Sequence, residues 1–230
     1  MSIISGQDLT RIYMLGSSEV RAVDGISLDI EEGEFLSVMG PSGSGKTTLL
    51  NLLGCLDIPT AGRLYIDGVE VVTLFPAMRT RLRREKVGFV FQEFNLLPYL
   101  NALENVELPL RYMGIKGRER QRRAFAALEK VGLEERARHK PSEISGGEQQ
   151  RVEVARALVT EPVMVLADEP TGELDTGNTR RILELMMELN RDSGQTIVIV
   201  THDPMVADYA RRVIHLRDGR IEEDQIKAQV

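Results

Sequence analysis

Two kinds of apolar pattern take turns along this chain. From Val23 to Met39 apolar and polar residues first alternate, pause at EEGE, and then run together as FLSVM, which predicts two strands joined by a turn. The second strand ends at Gly40. After a glycine-rich loop, KTTLLNLLGCL (Lys46 to Leu56) has leucines at helical spacing, and Pro59 and Gly62 break the pattern. Arg63 to Ile66, closed by Asp67-Gly68, predicts a strand and turn, and VGFVF (Val87 to Phe91) a short buried strand.

Between Glu93 and Thr160 strand signal almost vanishes. Gln121 to Val131 and GGEQQRVEVARAL carry apolar residues at helical spacing, with Pro141 between them. VMVLA (Val163 to Ala167) and TIVIV (Thr196 to Val200) flank a helix running from about Asn178 to Asp192, and both are the near-continuous apolar runs of parallel strands buried on two faces. A short helix and the strand VIHLRDGRIEE close the chain. The expected fold is α/β: a mostly parallel core sheet, an N-terminal antiparallel β part and a helical insertion. No repeat or linker divides it, so a single domain over 1–230 is expected.

Composition adds exclusions. With 230 residues, 42% hydrophobic and 28% charged, the chain can bury a substantial core. Its net charge of −6 argues against a protein that coats nucleic acid. The basic runs Arg79 to Lys86 and Gly117 to Arg123 read as solvated helix faces. Cys55 is the only cysteine, which rules out an internal disulfide and suits a reducing compartment. The N-terminus lacks the pattern of a signal peptide, and no apolar run approaches the ~20 residues of a membrane helix. A cytoplasmic protein is expected.

The chemistry starts at GPSGSGKT, which matches G-x-x-x-x-G-K-[ST] and sits between a strand and a helix. Gly40, Pro41, Ser42, Gly43, Ser44 and Gly45 would turn backbone N–H groups toward phosphate oxygens, Lys46 would reach the β and γ phosphates, and Thr47, followed by Thr48, would hold Mg²⁺. VMVLADE brings Asp168 and Glu169 to a strand's carboxyl end, where open α/β sheets bind ligands. Asp168 is the candidate for Mg²⁺, and Glu169 for orienting or deprotonating the attacking water. His202, at the end of TIVIV, is a candidate γ-phosphate contact, and Gln92, after VGFVF, a neutral amide beside metal and water.

SEISGGEQQR (Ser142 to Arg151) opens a second helix with a Ser-Gly-Gly loop suited to an anion. Lying in the helical insertion, it cannot close on the nucleotide of its own chain. Two copies facing head to tail would set Ser145, Gly146 and Gly147 of one against the γ-phosphate held by Lys46 of the other, making two composite sites.

Taken together these residues resemble the ATPase subunit of ABC transporters, over essentially the whole chain. GPSGSGKT resembles Walker A, VMVLADE Walker B with its catalytic glutamate, FQE at Gln92 the Q-loop, ISGGEQQR the signature, GELD the D-loop and VTHD the switch histidine. The resemblance implies a P-loop NTPase of the ABC type, with 1–92 and 161–230 as core and 93–160 as the helical signature subdomain. It implies ATP and Mg²⁺, catalysis by Glu169, His202 and Lys46, metal contacts from Thr47, Gln92 and Asp168, a D-loop Asp175, and trans contacts from Ser145 to Glu148. Tyr13, which spacing alone reads as a strand tyrosine, falls where the family stacks an aromatic residue on adenine. GCLDIPTAG, FVFQEFNLLPYLNALENVELPL and ADEPTGELD are similar to the branch containing LolD, MacB and FtsE. That implies an ATP-dependent homodimer on the cytoplasmic face of the inner membrane, with an integral-membrane permease received near Gln92 and the helical subdomain. Lipoprotein release or macrolide-type export is the expected task; a nucleotide-gated regulator of cell-division type, or a soluble ABC protein on nucleic acid, is the alternative. No nucleic-acid partner is expected.

Two positions depart from the family pattern. Glu148 replaces the usual glutamine of the signature, and a carboxylate facing a triphosphate is unfavourable unless it accepts a ribose hydroxyl or a basic neighbour, so weaker ATP-driven association than in Glu148→Gln is expected. Glu173 stands in the D-loop where small or amide residues are common.

Overall fold

A computed structural model describes residues 2–227; Met1 and residues 228–230 of the expected 1–230 domain lie outside the described residues. The chain opens with a long antiparallel pair, β1 (Ser2–Leu15) and β2 (Ser18–Glu31). Then come β3 (Phe35–Met39), α1 (Lys46–Leu53), β4 (Ala61–Ile66), β5 (Val69–Glu70), α2 (Pro76–Lys86) and β6 (Val87–Val90). Three helices follow without a strand: α3 (Ala102–Tyr112), α4 (Gly117–Lys130) and α5 (Gly146–Leu158). The rest alternates: β7 (Met164–Asp168), α6 (Thr176–Ser193), β8 (Thr196–Thr201), α7 (Pro204–Tyr209), β9 (Arg212–Arg217) and β10 (Arg220–Ile226).

Two sheets result. The central one has the order β10-β9-β3-β8-β7-β6, parallel throughout except for the β9–β10 hairpin at its edge. The other, β2-β1-β4-β5, is antiparallel. Because strand side chains alternate faces, the apolar runs supply two cores at once. Leu36, Val38, Leu166, Val198, Val200 and Ile214 pack toward α1 and the antiparallel sheet, whereas Phe35, Val165, Ala167, Ile197, Ile199 and Val213 pack toward α3 to α6.

Several boundaries differ from the expectations. β1 precedes the predicted strands, and β2 and β3, though joined by the EEGE turn, belong to different sheets. α1 stops at Leu53 because Gly54 caps it and Cys55 turns left-handed at φ 54. The closing strand is a hairpin turned by Asp218-Gly219, both at positive φ. Glu93 to Leu100 is a loop, and only from Ala102 does the helical stretch begin.

Candidate functional site

Parallel pairing of β3, β8 and β7 puts the residues that follow them on one edge of the sheet. There an open cleft of ≈ 710 Å³ is lined by Tyr13, Ala22, the phosphate loop (Pro41, Ser42, Gly43, Gly45, Lys46, Thr47), Thr48, Gln92, Glu169 and His202. The floor is the turn from β3 into α1. Gly45 caps α1 with φ 100, and a β-carbon on it would strike the Ala22 carbonyl oxygen, so only glycine fits. Lys46 is buried and donates from Nζ to the Gly40 and Pro41 carbonyls at 2.8 and 3.0 Å. Ser44 Oγ is buried without a partner, an orphan inside the loop.

Asp168 ends β7 beside that loop, its Oδ1 accepting from the Thr47 hydroxyl at 3.4 Å. Burial raises its carboxyl above the usual range; the Thr47 bond opposes this, the Glu169 charge adds to it, and Lys46 again opposes it. The next residue leaves the strand in a left-handed conformation, φ 47, while its N–H still donates to the Val200 carbonyl at 2.9 Å. This bend turns the Glu169 carboxylate toward β8. Oε2 accepts from the Thr201 hydroxyl at 2.9 Å, and Oε1 lies 2.8 Å from His202 Nδ1. Thr201, fully buried, is a partner that residue-by-residue reading missed, since a strand-end threonine carries no signal of its own.

Gln92 also lines the cleft, and its Nε2 donates to Glu173 Oε1 at 3.2 Å. The unusual D-loop residue thus has a partner. Asp175 accepts from the Gly177 and Asn178 N–H groups at 2.9 and 3.0 Å, capping α6, and its carboxyl is lowered chiefly by the Asn178 N–H. Tyr13 is not a free ring: its hydroxyl donates to Asp57 Oδ2 at 2.7 Å, and the Arg11 guanidinium lies 4.7 Å from the ring centroid. Arg11 and Asp57 were missed because their partnership joins β1 to the turn after α1.

Ser145, Gly146, Gly147 and Glu148 do not line this cleft. They open α5 with a reciprocal capping box, in which Glu148 N–H donates to Ser145 Oγ at 3.3 Å and the Glu148 carboxylate accepts from Ser145 N–H and Oγ–H, both at 2.8 Å. Arg136 Nε completes the carboxylate's shell at 3.0 Å. The Ser145 N–H leads the groups that hold the Glu148 carboxyl down, to about 2. The basic neighbour that would make this glutamate tolerable is present.

The residues fit a nucleoside triphosphate with Mg²⁺. No cluster of three or more His, Cys, Asp or Glu side chains able to hold a metal occurs among the described residues, so a divalent ion would rely on Thr47, Asp168, Gln92 and phosphate oxygens, as Mg²⁺ does in phosphoryl-transfer sites. A parallel sheet with a glycine-rich phosphate loop after one strand and adjacent carboxylates after another defines a P-loop nucleotide hydrolase.

Comparison with known proteins narrows the class. The family model described as ABC transporter matches residues 23–172. An uncharacterized ABC transporter ATP-binding protein, MJ0796 of Methanocaldococcus jannaschii, is 50% identical over 97% of this chain and 97% of its own. The macrolide export ATP-binding/permease protein MacB of Hyphomonas neptunium is 54% identical over 96% of this chain, which spans only 34% of that longer protein. A solved dimeric structure of a post-hydrolysis state of the MJ0796 cassette bound to ADP and Pi superposes with a TM-score of 0.89 at 46% identity, covering 99% of this chain and 100% of that one. The chain belongs to the ABC transporter family. It is an ATPase that works on ATP with Mg²⁺.

Proposed function

We propose that this chain is the ATP-hydrolysing cassette of a membrane ABC system, that it dimerises on ATP with the nucleotides between two copies, and that it drives a partner membrane protein. The observation that carries the reading is the split of the machinery. Lys46, Glu169 and His202 line one cleft, with Asp168 bonded to its Thr47, while Ser145 lies outside it at the start of α5. The cassette is read as a core of 1–92 and 161–230 carrying a helical subdomain of 93–160.

Gly40, Pro41, Ser42, Gly43, Ser44 and Gly45 would wrap the phosphates with backbone N–H groups, and Lys46 would exchange its carbonyl partners for β and γ oxygens. Tyr13 would offer adenine the ring face that Arg11 leaves open. Thr47, Asp168 and Gln92 would hold Mg²⁺, which when bound neutralises charge on the transferring phosphoryl group. Glu169 would orient and deprotonate the attacking water; Thr201 and His202 fix its carboxylate. His202, largely exposed on its other side, would contact the γ-phosphate. From the second copy, Ser145, Gly146, Gly147 and Glu148 would close on that phosphate, with Asp175 ordering the adjoining D-loop.

Among the described residues no helix is long and apolar enough to cross a membrane. The MacB relative, an ATP-binding/permease protein by name, supports a permease; in this reading the permease is met near Gln92 and the helical subdomain, on the cytoplasmic face of the membrane. By its name that relative also supports macrolide-type export, one of the two tasks the resemblance implies; lipoprotein release is the other. The test is to isolate the chain from detergent extracts and measure phosphate release with and without the co-purifying membrane protein. Stimulation by an integral-membrane permease is expected; an ATPase indifferent to any membrane partner would contradict the reading.

A further inference from the structure

Behind the Gln92 loop lies a charged residue with no part in this chemistry. Glu153, in the middle of α5, has a fully buried side chain whose Oε2 lacks any hydrogen-bond partner. One helical turn earlier Gln150 Oε1 is buried and equally without a donor. Both face the segment that carries Gln92. Gln150 Nε2 donates to the Phe91 carbonyl at 3.4 Å, and the Phe91 N–H stabilises the Glu153 carboxylate. One turn later Arg156 donates to the carbonyls of Asn95 at 2.7 Å and Phe94 at 3.3 Å, and to Glu153 Oε1 at 3.0 Å. One face of α5 therefore holds the main chain on both sides of Gln92. The same helix begins at Ser145 and packs on β6 so closely that a β-carbon on Gly88 would lie 2.5 Å from the Ala157 carbonyl oxygen.

Two buried acceptors a turn apart, both lacking donors, are costly. One proton would relieve both, because Glu153 protonated on Oε2 would become a donor one helical turn from the orphaned amide oxygen of Gln150. Burial favours that proton, raising the Glu153 carboxyl to about 8 against the opposing pull of Arg156 and the Phe91 N–H. Few other charges act here. On α5 itself Glu148 is held by Ser145 and Arg136. On α3, Glu107 is paired with Arg120 of α4 at 2.7 Å, and Arg123 of α4 donates to the Val159 carbonyl. The buried face of α6 and all of β6 carry no charged residue.

We propose that Glu153, protonated and bonded to Gln150, is a positioning residue that locks the Gln92 loop to the signature helix, so that Gln92 and Ser145 move as one body. The inference rests on the roles given above to Gln92 and Ser145. Its first test needs neither nucleotide nor turnover. Amide hydrogen exchange of the full chain, corrected for the intrinsic rate, compares segment 91–95 in the natural protein, Glu153→Gln, which keeps a donor, and Glu153→Ala. At pH 7 the natural chain and Glu153→Gln should exchange alike, and Glu153→Ala about tenfold faster, with β3 and β8 unchanged. Near pH 9.5 the natural chain should loosen toward the alanine variant while Glu153→Gln does not. Equal exchange in the two variants, or a natural chain insensitive to this pH change, overturns the lock. In MgATP turnover, Glu153→Ala should lower kcat about tenfold at unchanged ATP affinity, with Glu153→Gln restoring it. Loosened exchange with full kcat would overturn the role of Gln92 while supporting the lock.

Discussion

Glu169 occupies a backbone region that non-glycine residues seldom adopt, and the bend is what brings its carboxylate within reach of Thr201 and His202. Thr201→Val should leave ATP binding intact and lower kcat by roughly 10- to 100-fold, the range for one lost buried hydrogen bond to a charged group; separate measurements of ATP affinity and single-turnover hydrolysis check this. Glu169→Gln should bind ATP and fail to cleave it. Lys46→Ala should weaken nucleotide binding itself, read by equilibrium titration. At this scale motif and context pointed to Lys46, Asp168, Glu169 and His202, which the fold brings to one edge of the sheet. Thr201, Arg11 and Asp57 were not, because each acts through a partner far along the chain, and the Glu173–Gln92 bond joins two loops that spacing does not relate. Glu148 was legible as an anomaly, but its remedy, Arg136, lies in a short turn before the helix.

The α5 helix depends on its cap. Ser145→Ala should cost about 1 kcal/mol in thermal or denaturant unfolding, as loss of a serine N-cap usually does. Two carboxyls on this helix give opposite pH dependences. Glu148, held at about 2 against an unfolded value of 4.5, contributes stability that is complete above about pH 4.5 and disappears as pH falls toward 2. Glu153, raised to about 8 from the same 4.5, binds its proton more tightly when folded, so its contribution is complete below about pH 4.5 and is lost as pH rises toward 8. Melting of Glu153→Gln beside the natural chain should show a gap that widens across that second window; a constant gap would contradict it. Elements with uniform apolar runs, β3, β7 and β8, were legible in the sequence. β1 was not: its register shifts near Leu9 and Arg11, and Asp8 at φ 50 interrupts the alternation on which strand reading depends. Asp218-Gly219 is the turn that splits the last strand into a hairpin, and strand-like residues on both sides of it in VIHLRDGRIEE hide the break.

At the scale of the molecule, the parallel sheet gathers the hydrolytic groups at one edge while the three-helix stretch carries Ser145 elsewhere. The sheet order follows from rules for parallel crossovers, so the fold class was readable from the run of strands and helices; the second, antiparallel sheet was only half visible because its strands are mixed in polarity. On the proposed function a finished reaction centre takes two copies, with one chain's phosphate loop facing the other's signature. Sedimentation of the Glu169→Gln chain with MgATP tests this most directly, run beside the same chain with Ser145→Arg added. A dimer in the first, and in the second a monomer that still binds ATP, is the predicted result; an ATP complex that stays monomeric, or a dimer that Ser145→Arg leaves untouched, would contradict it.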